Sequence, residues 1–477
     1  MTMPPSDAAI KVPPLRERPA RLLFLFWSLL GLPLLFLGYG SDYDAWRVAQ
    51  SATLLWRQGV YTPSRSLGFP LYEFLVTPLS ALGSWPAANA LALCAGGAIF
   101  LALRHLARQG HFQHPLLVIA GFLFLPIVFK NATVTMDYLP ALACLMWSYA
   151  LLMTARPAAA AVLTGLATGF RPTAILFLVP LLLYIRRTSD AKTLLRAAAI
   201  GCLTALATYS PILLAQGFGA PAPAPRSGWI QHLALVAFHG LRFLGVAQSL
   251  LLLLLLCSAC KKKTVGNLPA NWSTFHLVNI GIWIALFFLL PDEPEYLLPA
   301  WPSLLFFMDR LFSARTLVAA LLLLLSYHVI QLELRPDQPD TLQLRPRLAP
   351  GYTIEELQDR FFKIDSRRVA TRFEPPQPTL LMFGLPWIPA ANDAWVTDAE
   401  PGVFRQKTGH FYLSGQITDR GRIERLRQRG IRLIAWRLAE WDYLRTGSAA
   451  WGDEVEVIGE LRLLFGVPLR GKPLNQR

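Results

Sequence analysis

The stretch GSDYDAWRVAQSATLLWRQGVYTPSRSLGFPLYE, residues Gly40 to Glu73, directly follows an apolar run from Leu22 to Leu37. Its first carboxylates, Asp42 and Asp44, therefore lie only a few residues beyond the point where that run leaves a bilayer. The next residues put aromatic and small side chains at helical spacing with cations beside them: Trp46, Ala49, Thr53 and Trp56, with Arg47 and Arg57. Such a helix suits the headgroup layer. The stretch predicts a site floor on the membrane surface, with the two aspartates at its membrane-proximal edge.

The composition predicts a polytopic α-helical membrane protein. Of the 477 residues, 54% are hydrophobic and only 16% are charged, and the apolar runs are too long and too frequent for a soluble core. They recur at roughly Leu22–Leu37, Ala87–Leu103, Pro115–Phe129, Tyr138–Met153, Ala158–Phe170, Thr173–Ile185, Leu194–Ala215, Leu244–Ala259, Phe275–Leu290, Tyr296–Phe312 and Leu317–Ile330. We therefore expect about eleven transmembrane helices.

The net charge of +15 follows the membrane topology rather than a nucleic-acid partner. With the N-terminus inside, every inner loop is basic, as the positive-inside rule requires: Arg104 and Arg108, Arg156, Arg186 to Arg196, Lys261 to Lys263, and Arg310 with Arg315. The acids collect on the outer loops. An odd number of spans places the C-terminus outside, and its lack of cysteine favours a bacterial periplasm. We expect a multi-pass protein of the bacterial cytoplasmic (inner) membrane.

Three regions follow from these patterns. Residues 1–20 predict a disordered cytoplasmic tail, residues 21–330 a transmembrane domain with the outer loop 40–73, and residues 331–477 an extracytoplasmic soluble α/β domain after a Pro- and Asp-rich linker. In that last region we expect strands at Thr379–Phe383 and Arg432–Ala435, and a helix at Ile423–Gln428 that Gly430 caps. It either recognises the acceptor or serves as a lid or stabilising module.

The outer acids are the first candidates for chemistry. Asp42 either caps the following helix or shares one cavity with Asp44. Asp137 precedes the span that begins at Tyr138, where it can cap the helix or pair with Lys130. Alternatively, it faces Asp42 across a cleft, where the two acids would hold a divalent cation such as Mg or Mn.

The outer cations are the second group. Arg171 follows a small-residue segment and precedes Pro172, at an outer end that the positive-inside rule would leave uncharged. It either snorkels to the interface or binds a phosphate. Arg226 and Arg242 bracket a basic, aromatic stretch that either holds an anionic headgroup or orients the next span. The acids of DEPEYLLPAWPSL, from Asp292 onward, are also good helix-start chemistry.

The order of these features closely resembles the GT-C superfamily of polytopic glycosyltransferases. An aspartate pair follows the first span, then come an amphipathic surface helix, an aspartate after the third span, a Gly-rich hairpin that ends in Arg-Pro, and a late Glu-Tyr-Leu-Leu-Pro helix start. The nearest relatives by resemblance are protein mannosyltransferases and aminoarabinose transferases, whose donors are polyprenyl-phosphate sugars. The resemblance covers about Arg21 to Phe312.

The resemblance implies an inverting transferase that moves a sugar from a polyprenyl-phosphate donor to a lipid, glycan or protein acceptor outside the cytoplasmic membrane. Asp44, or its neighbour Asp42, would be the general base, and Asp137 a metal ligand or base partner. Arg171, Arg226 and Arg242 would bind the donor phosphate, and the cleft would include Glu73, Glu293, Glu295 and Tyr296. Two departures stand out: the late motif lacks its usual basic residue, and Asp-Tyr-Asp replaces the Asp-Glu pair.

The main alternative is a transporter or flippase for lipid-linked sugars. Such proteins place charges and broken helices near the bilayer midplane, often in repeated halves. Here the acids gather at the outer ends, and no half-to-half repeat is visible. A scaffold with a membrane anchor ranks last, because anchoring needs far fewer spans.

Overall fold

The computed structural model describes Leu15 and residues 17–65, 67–216, 229–261, 270–336, 344–372, 377–382, 395–397, 403–406, 411–414, 420–437 and 456–459. The chain divides into two compact units. The larger comprises residues 1–36 and 51–355, and the smaller comprises residues 37–50 and 356–477.

The larger unit is a helical assembly. Its helices are α1 (Glu17–Gly31), the second half of α2 (Tyr43–Gln58), α3 (Pro70–Arg108), α4 (Pro115–Leu123), α5 (Pro126–Asn131), α6 (Tyr138–Met153), α7 (Pro157–Phe170), α8 (Leu178–Thr188), α9 (Ala191–Gln216), α10 (Trp229–Leu244), α11 (Val246–Lys261), α12 (Ala270–Leu289), α13 (Trp301–Leu311) and α14 (Ala314–Ser326). Helix α1 begins within the region predicted to be a disordered tail, so the chain is already helical at Glu17.

Four of the described helical segments are long and apolar enough to cross a membrane: Glu17–Phe36, Pro70–Arg108, Ala191–Ala215 and Asn271–Leu289. A fifth span arises if α10 and α11, which bend by 81° at Gly245, are counted together. Helices α6, α7 and α14 are apolar but shorter. These helices identify the chain as a membrane protein, and the count of about eleven spans stays a prediction.

Prolines explain why several predicted spans are interrupted. The run Pro115–Phe129 is divided into α4 and α5 at Pro126, because proline lacks the amide that would continue the helix. Two further runs open as 3-10 segments, Pro172–Phe177 before α8 and Pro294–Ala300 before α13. Helix α3 is interrupted at Ser84, whose φ of 55° lies in the left-handed region. Each interruption lets a helix end or turn away from a straight course.

A two-stranded antiparallel ribbon follows α14 where the sequence predicts a linker. Strand β1 (Ile330–Pro336) pairs with β2 (Leu344–Pro350) from Ile330 opposite Pro350 to Pro336 opposite Leu344. A proline is tolerated here because each strand of a two-stranded ribbon has an unpaired edge, where the missing amide removes no ladder bond. The predicted linker thus contains paired strands among its described residues, and its role as a linker stays a prediction.

In the smaller unit, residues 37–50 pack on the helix α15 (Tyr352–Arg372), which begins in the larger unit. Trp46 donates its indole N–H to the carbonyl of Gly40 over 2.9 Å, and the hydroxyl of Ser41 donates to Glu356. The ammonium group of Lys363 lies 4.0 Å from the centre of the Tyr43 ring. The start of α2 is thereby tied to α15.

A six-stranded sheet and one further helix form the rest of the described smaller unit. Its strands are β3 (Thr379–Met382), β4 (Trp395–Thr397), β5 (Val403–Gln406), β6 (Phe411–Ser414), β7 (Arg432–Arg437) and β8 (Glu456–Gly459), in the order β4-β5-β6-β3-β7-β8. Strands β6, β3, β7 and β8 are parallel, and β4 and β5 add an antiparallel edge. The buried core includes Leu380 and Leu433 of the sheet, and Ile423 and Leu426 of the helix α16 (Arg420–Gln428). The predicted strands and helix are confirmed, and Gly430 has the expected positive φ of 74°.

Candidate functional site

A buried carboxylate held by two arginines lies in the larger unit. Arg65 approaches Oδ1 of Asp137 with Nη2 at 2.5 Å, and Arg171 approaches Oδ2 with Nη1 at 2.7 Å. Asp137 is completely buried, and the side chains of Arg65 and Arg171 are 12% and 8% exposed. Each carboxylate oxygen therefore accepts from its own guanidinium group.

Aromatic rings enclose the two guanidinium groups. The Arg171 guanidinium carbon lies 3.9 Å from the ring centre of Tyr138 and 4.7 Å from that of Tyr296. It also donates from Nη2 to the Tyr138 hydroxyl over 3.2 Å. The Arg65 guanidinium lies 3.5 Å from the Phe69 ring centre. Stacking on ring faces leaves the planar edges of the cations to bind anions.

The two arginines keep Asp137 ionised. Burial by itself would raise the pKa of Asp137, but Arg65 and Arg171 hold it below its ordinary value through their charges and hydrogen bonds. An anionic carboxylate of this kind is a weak base, because protonation would break both ion pairs. The arrangement suits Asp137 to holding the arginines in place.

The local sequence explains how these side chains meet. Asp137 directly precedes α6, Arg171 directly follows α7, and Arg65 lies between α2 and α3. Pro172 ends α7 at Arg171, which takes an extended φ of −150° and turns its side chain out of the helix direction. Two of these positions adjoin helix ends and Arg65 lies in a connection between helices, and the charge pattern predicts all three to lie on the outer side.

The expectation for Asp137 is partly wrong. Asp137 stands at the N-cap position of α6, but its side chain makes no capping hydrogen bond. Lys130, the partner weighed from the sequence, instead places Nζ 2.9 Å from Oε1 of Glu295. The partners of Asp137 are arginines from two other segments of the chain.

The segment Glu293-Pro294-Glu295 contributes to two cation clusters. Oε2 of Glu293 lies 3.7 Å from Nη2 of Arg171, whereas Glu295 pairs with Lys130 and is 3% exposed. Burial would raise the pKa of Glu295, but the Lys130 ammonium lowers it. Tyr296 stacks near Arg171 as described above. These two acids thus form ion pairs with other segments of the chain, which a role in starting a helix would not require.

Glu73 lies buried at the start of α3. It accepts hydrogen bonds from the Tyr61 hydroxyl and from the backbone amides of Ser64 and Phe69. These donors flank Arg65 in the sequence. The structure therefore places Glu73 inside the loop that carries Arg65.

Arg242 belongs to a separate group of residues. Its Nη2 lies 4.0 Å from Oε2 of Glu355, and its guanidinium carbon is 5.8 Å from the Tyr352 ring centre. The Arg242 side chain is 42% exposed. Arg226 lies outside the described residues. The described partners of Arg242, Glu355 and Tyr352, thus differ from Asp137 and Tyr138, which Arg171 contacts.

Asp42 and Asp44 lie in the smaller unit at the start of α2. Oδ1 of Asp42 accepts from the amide of Asp44 over 2.9 Å, which is N-cap geometry. Oδ1 of Asp44 lies 3.1 Å from Nη1 of Arg47, one turn along the helix. Asp42 therefore caps α2, as one reading of the sequence expects, and both carboxylates are half-buried.

The residues described do not favour a metal site. No group of three or more His, Cys, Asp or Glu side chains suited to a metal ion occurs among them. Both oxygens of Asp137 face guanidinium groups, which compete with any cation for the same lone pairs. The Asp42 and Asp137 metal assignment stays a prediction.

Apolar space adjoins the arginine cluster. Arg171 and Tyr296 line a cavity of about 10 Å³ together with Ala141, Leu142, Leu145 and Pro299. A second cavity of about 30 Å³ shares Leu142, Leu145 and Pro299 with it and extends to His276 and Ser303. The charged cluster is therefore adjacent to an apolar region between helices.

Sequence reasoning missed Arg65 and Tyr138. Arg65 carried the same signal as Arg171, since a cation in a predicted outer loop departs from the positive-inside rule. Tyr138 offered no comparable signal, because an aromatic residue at a span end is ordinary interfacial composition. Only the fold brings its hydroxyl to Arg171.

The chain has few detectable relatives. No family model and no curated protein matches it. Among solved structures, it is similar to crystal structures of ArnT from Cupriavidus metallidurans, one bound to undecaprenyl phosphate and one in the apo state. Each is 14% identical, with 76% of this chain and 82% of that chain covered and TM-scores of 0.37 and 0.36. Because the TM-scores are below 0.5, this similarity assigns no residue role and no substrate.

Proposed function

We propose that this chain is a membrane glycosyltransferase of the GT-C type that moves a sugar from a polyprenyl-phosphate donor to a lipid, glycan or protein acceptor on the outer face of the cytoplasmic membrane. The observation that carries the proposal is the convergence of Arg65 and Arg171 on buried Asp137. Arginine recognises phosphate and carboxylate oxygens with the same planar fork. A phosphate that approaches these arginines meets donors already held in place.

The surroundings of the arginines suit a lipid phosphate. The cavities beside Arg171 are lined mainly by apolar side chains, which suit an isoprenoid chain. Their volumes of about 30 and 10 Å³ are smaller than one isoprene unit, so the chain would enter only as the surrounding helices move apart. Glu293, at 3.7 Å from Arg171, is farther than a hydrogen bond reaches. A donor phosphate that binds this side of the guanidinium would replace Glu293 there, while Asp137 keeps its bond to Nη1 of Arg171.

In the reaction that we propose, an acceptor hydroxyl attacks the anomeric carbon of the donor sugar. The bond from that carbon to the phosphate oxygen breaks, and polyprenyl phosphate leaves with the electron pair. Arg65 and Arg171 stabilise the charge that develops on the leaving phosphate. A carboxylate of the first loop, with Asp44 preferred over Asp42, takes the acceptor proton. A single displacement inverts the anomeric carbon and needs one base.

Donor consumption tests the proposal. The purified protein is incubated with a panel of polyprenyl-phosphate sugars in membranes that supply natural acceptors. We expect one donor to be consumed. Arg65→Gln should raise the KM for that donor and keep measurable turnover, whereas the Asp42→Asn/Asp44→Asn double variant should lose the activity. Arg108→Gln, on the predicted inner side, is the matched control. If well-folded protein consumes no donor under these conditions, the transferase proposal is wrong.

One observation favours the alternative, a transporter or flippase for lipid-linked sugars. Helices α10 and α11 form an apolar pair broken by 81° at Gly245, and broken helices are typical of transporter sites. Single cysteines introduced along this break would distinguish the two functions. Labelling from the outer side alone supports the transferase, whereas labelling from either side in alternation supports transport.

A further inference from the structure

We propose that Glu73 is a positioning residue that holds Arg65 at the donor phosphate, an inference that rests on the proposed function. Arg65 lies in the connection between α2 and α3, which has no helix or strand among its described residues 59–65 and 67–69. An arginine on such a segment can serve as a phosphate ligand only if another group fixes the segment. The contacts of Glu73 provide that fixation.

The Glu73 carboxylate binds the connection on both sides of Arg65. Oε1 accepts from the amide of Ser64 over 2.7 Å, and Oε2 accepts from the amide of Phe69 over 3.2 Å. Oε2 also accepts from the Tyr61 hydroxyl. Because Glu73 is completely buried on the long helix α3, these bonds join the connection to a rigid element.

The connection has the shape that this anchor requires. Gly68 donates its amide to the carbonyl of Arg65 over 2.9 Å and has a φ of 61°, so Gly68 takes a turn conformation that is bonded to Arg65. This turn places the Phe69 ring against the Arg65 guanidinium. Glu73 thus fixes the position of Arg65 through the backbone on either side of it.

The acceptor capacity of both Glu73 oxygens is the property that matters. A carboxylate accepts on both oxygens, and each oxygen of Glu73 has at least one donor. Burial and the Glu73 carboxylate together raise the pKa of Tyr61, so its hydroxyl keeps the proton that it donates. In Glu73→Gln, one oxygen becomes an NH₂ group that donates and therefore faces an existing donor.

A double-mutant cycle tests this inference. We expect Glu73→Gln to raise the donor KM by about 10- to 100-fold, since a misplacement of about 1 Å is enough for such an effect. In an Arg65→Gln background the same change should have no further effect on KM, because Arg65 is the group that Glu73 positions. A merely structural role would lower thermal stability and reduce activity equally in both backgrounds, which would overturn the inference.

Controls separate this inference from the proposed function. Glu17→Gln, at a carboxylate that pairs with Arg104 on the predicted inner side, should leave the donor KM unchanged. If Glu73→Gln does not fold, Tyr61→Phe removes one donor from the same carboxylate and should give a smaller effect that is also absent in Arg65→Gln.

A protease measurement needs no sugar transfer. Trypsin cleavage after Arg65 in the intact, detergent-solubilised protein should be at least about tenfold faster in Glu73→Gln than in the wild type, because local opening governs cleavage. If the wild type consumes no donor but Glu73→Gln is still cleaved faster than the wild type, the anchoring role of Glu73 is supported and the transferase proposal is wrong. Donor consumption with equal cleavage rates in the two proteins would instead overturn the role of Glu73.

Discussion

Arg171 donates from Nη1 to Oδ2 of Asp137 over 2.7 Å, across 34 positions of sequence. The carboxylate is fully buried and the arginine nearly so. Ions are costly to remove from water, so a buried pair of this kind adds little net stability compared with apolar residues of similar size. Breaking one half of it, however, leaves the other charge without its partner. The pair therefore supports precise tests.

Asp137→Asn should destabilise the protein by about 3–5 kcal/mol, because two buried guanidinium groups would lose their shared counter-ion. Thermal unfolding in detergent would measure the loss. Asp190→Asn is the control, since Asp190 is an exposed acid between α8 and α9 that accepts from the Thr193 amide. Equal melting temperatures for Asp137→Asn and the wild type would contradict the ion-pair geometry.

The contribution of Asp137 should depend on pH in one direction. Its pKa is lowered in the folded protein, so its stabilising effect is present above the ordinary carboxyl pKa of about 4 and is lost as the pH falls through the lower folded value. The stability difference between wild type and Asp137→Asn should be constant from about pH 5 to 7 and shrink below about pH 4. A difference that grew on acidification would show the opposite pKa shift.

Substitutions of the two first-loop aspartates, Asp42 and Asp44, should have different effects on turnover. Asparagine is a good N-cap, so Asp42→Asn should keep the bond to the Asp44 amide and leave stability within a few tenths of a kcal/mol. If Asp44 is the base, Asp44→Asn should lower kcat by about 10²- to 10⁴-fold with donor binding unchanged. Turnover and a separate donor-binding assay would be measured for both. The reverse pattern would assign the base to Asp42.

The bend between α10 and α11 should depend on Gly245. Its φ of 89° is unfavourable for any residue with a Cβ, and an added Cβ would meet the Tyr327 ring at 2.9 Å. Gly245→Ala should therefore destabilise the protein by at least about 1–2 kcal/mol. Gly281→Ala is the control, because a Cβ there meets nothing within 4 Å inside α12. That change should be neutral or stabilising by up to about 1 kcal/mol.

Sequence patterns predicted those elements well that depend only on neighbouring residues. The helix at Arg420–Gln428, the strands at Thr379–Met382 and Arg432–Arg437, and the Asp42 cap all depend on neighbouring residues. Span boundaries were less predictable. A hydropathy run such as Pro115–Phe129 reads as continuous, while the backbone divides it at Pro126. Proline geometry acts within the helix without altering its apolar composition.

The sequence by itself determined that this is a helical membrane protein. It also determined that the outer acids, and the arginines that depart from the positive-inside rule, lie at or between helix ends. Apolar length and charge sidedness are properties of composition along the chain, so they need no fold to be visible. Only the tertiary structure decided which charges pair. Asp137 is 7 residues from Lys130 but pairs with Arg65 and Arg171, whereas Lys130 pairs with Glu295 across 165 positions. A long charged side chain can reach several opposite charges, and the packing of the helix ends decides which one it pairs with. That packing has no local signature in the sequence.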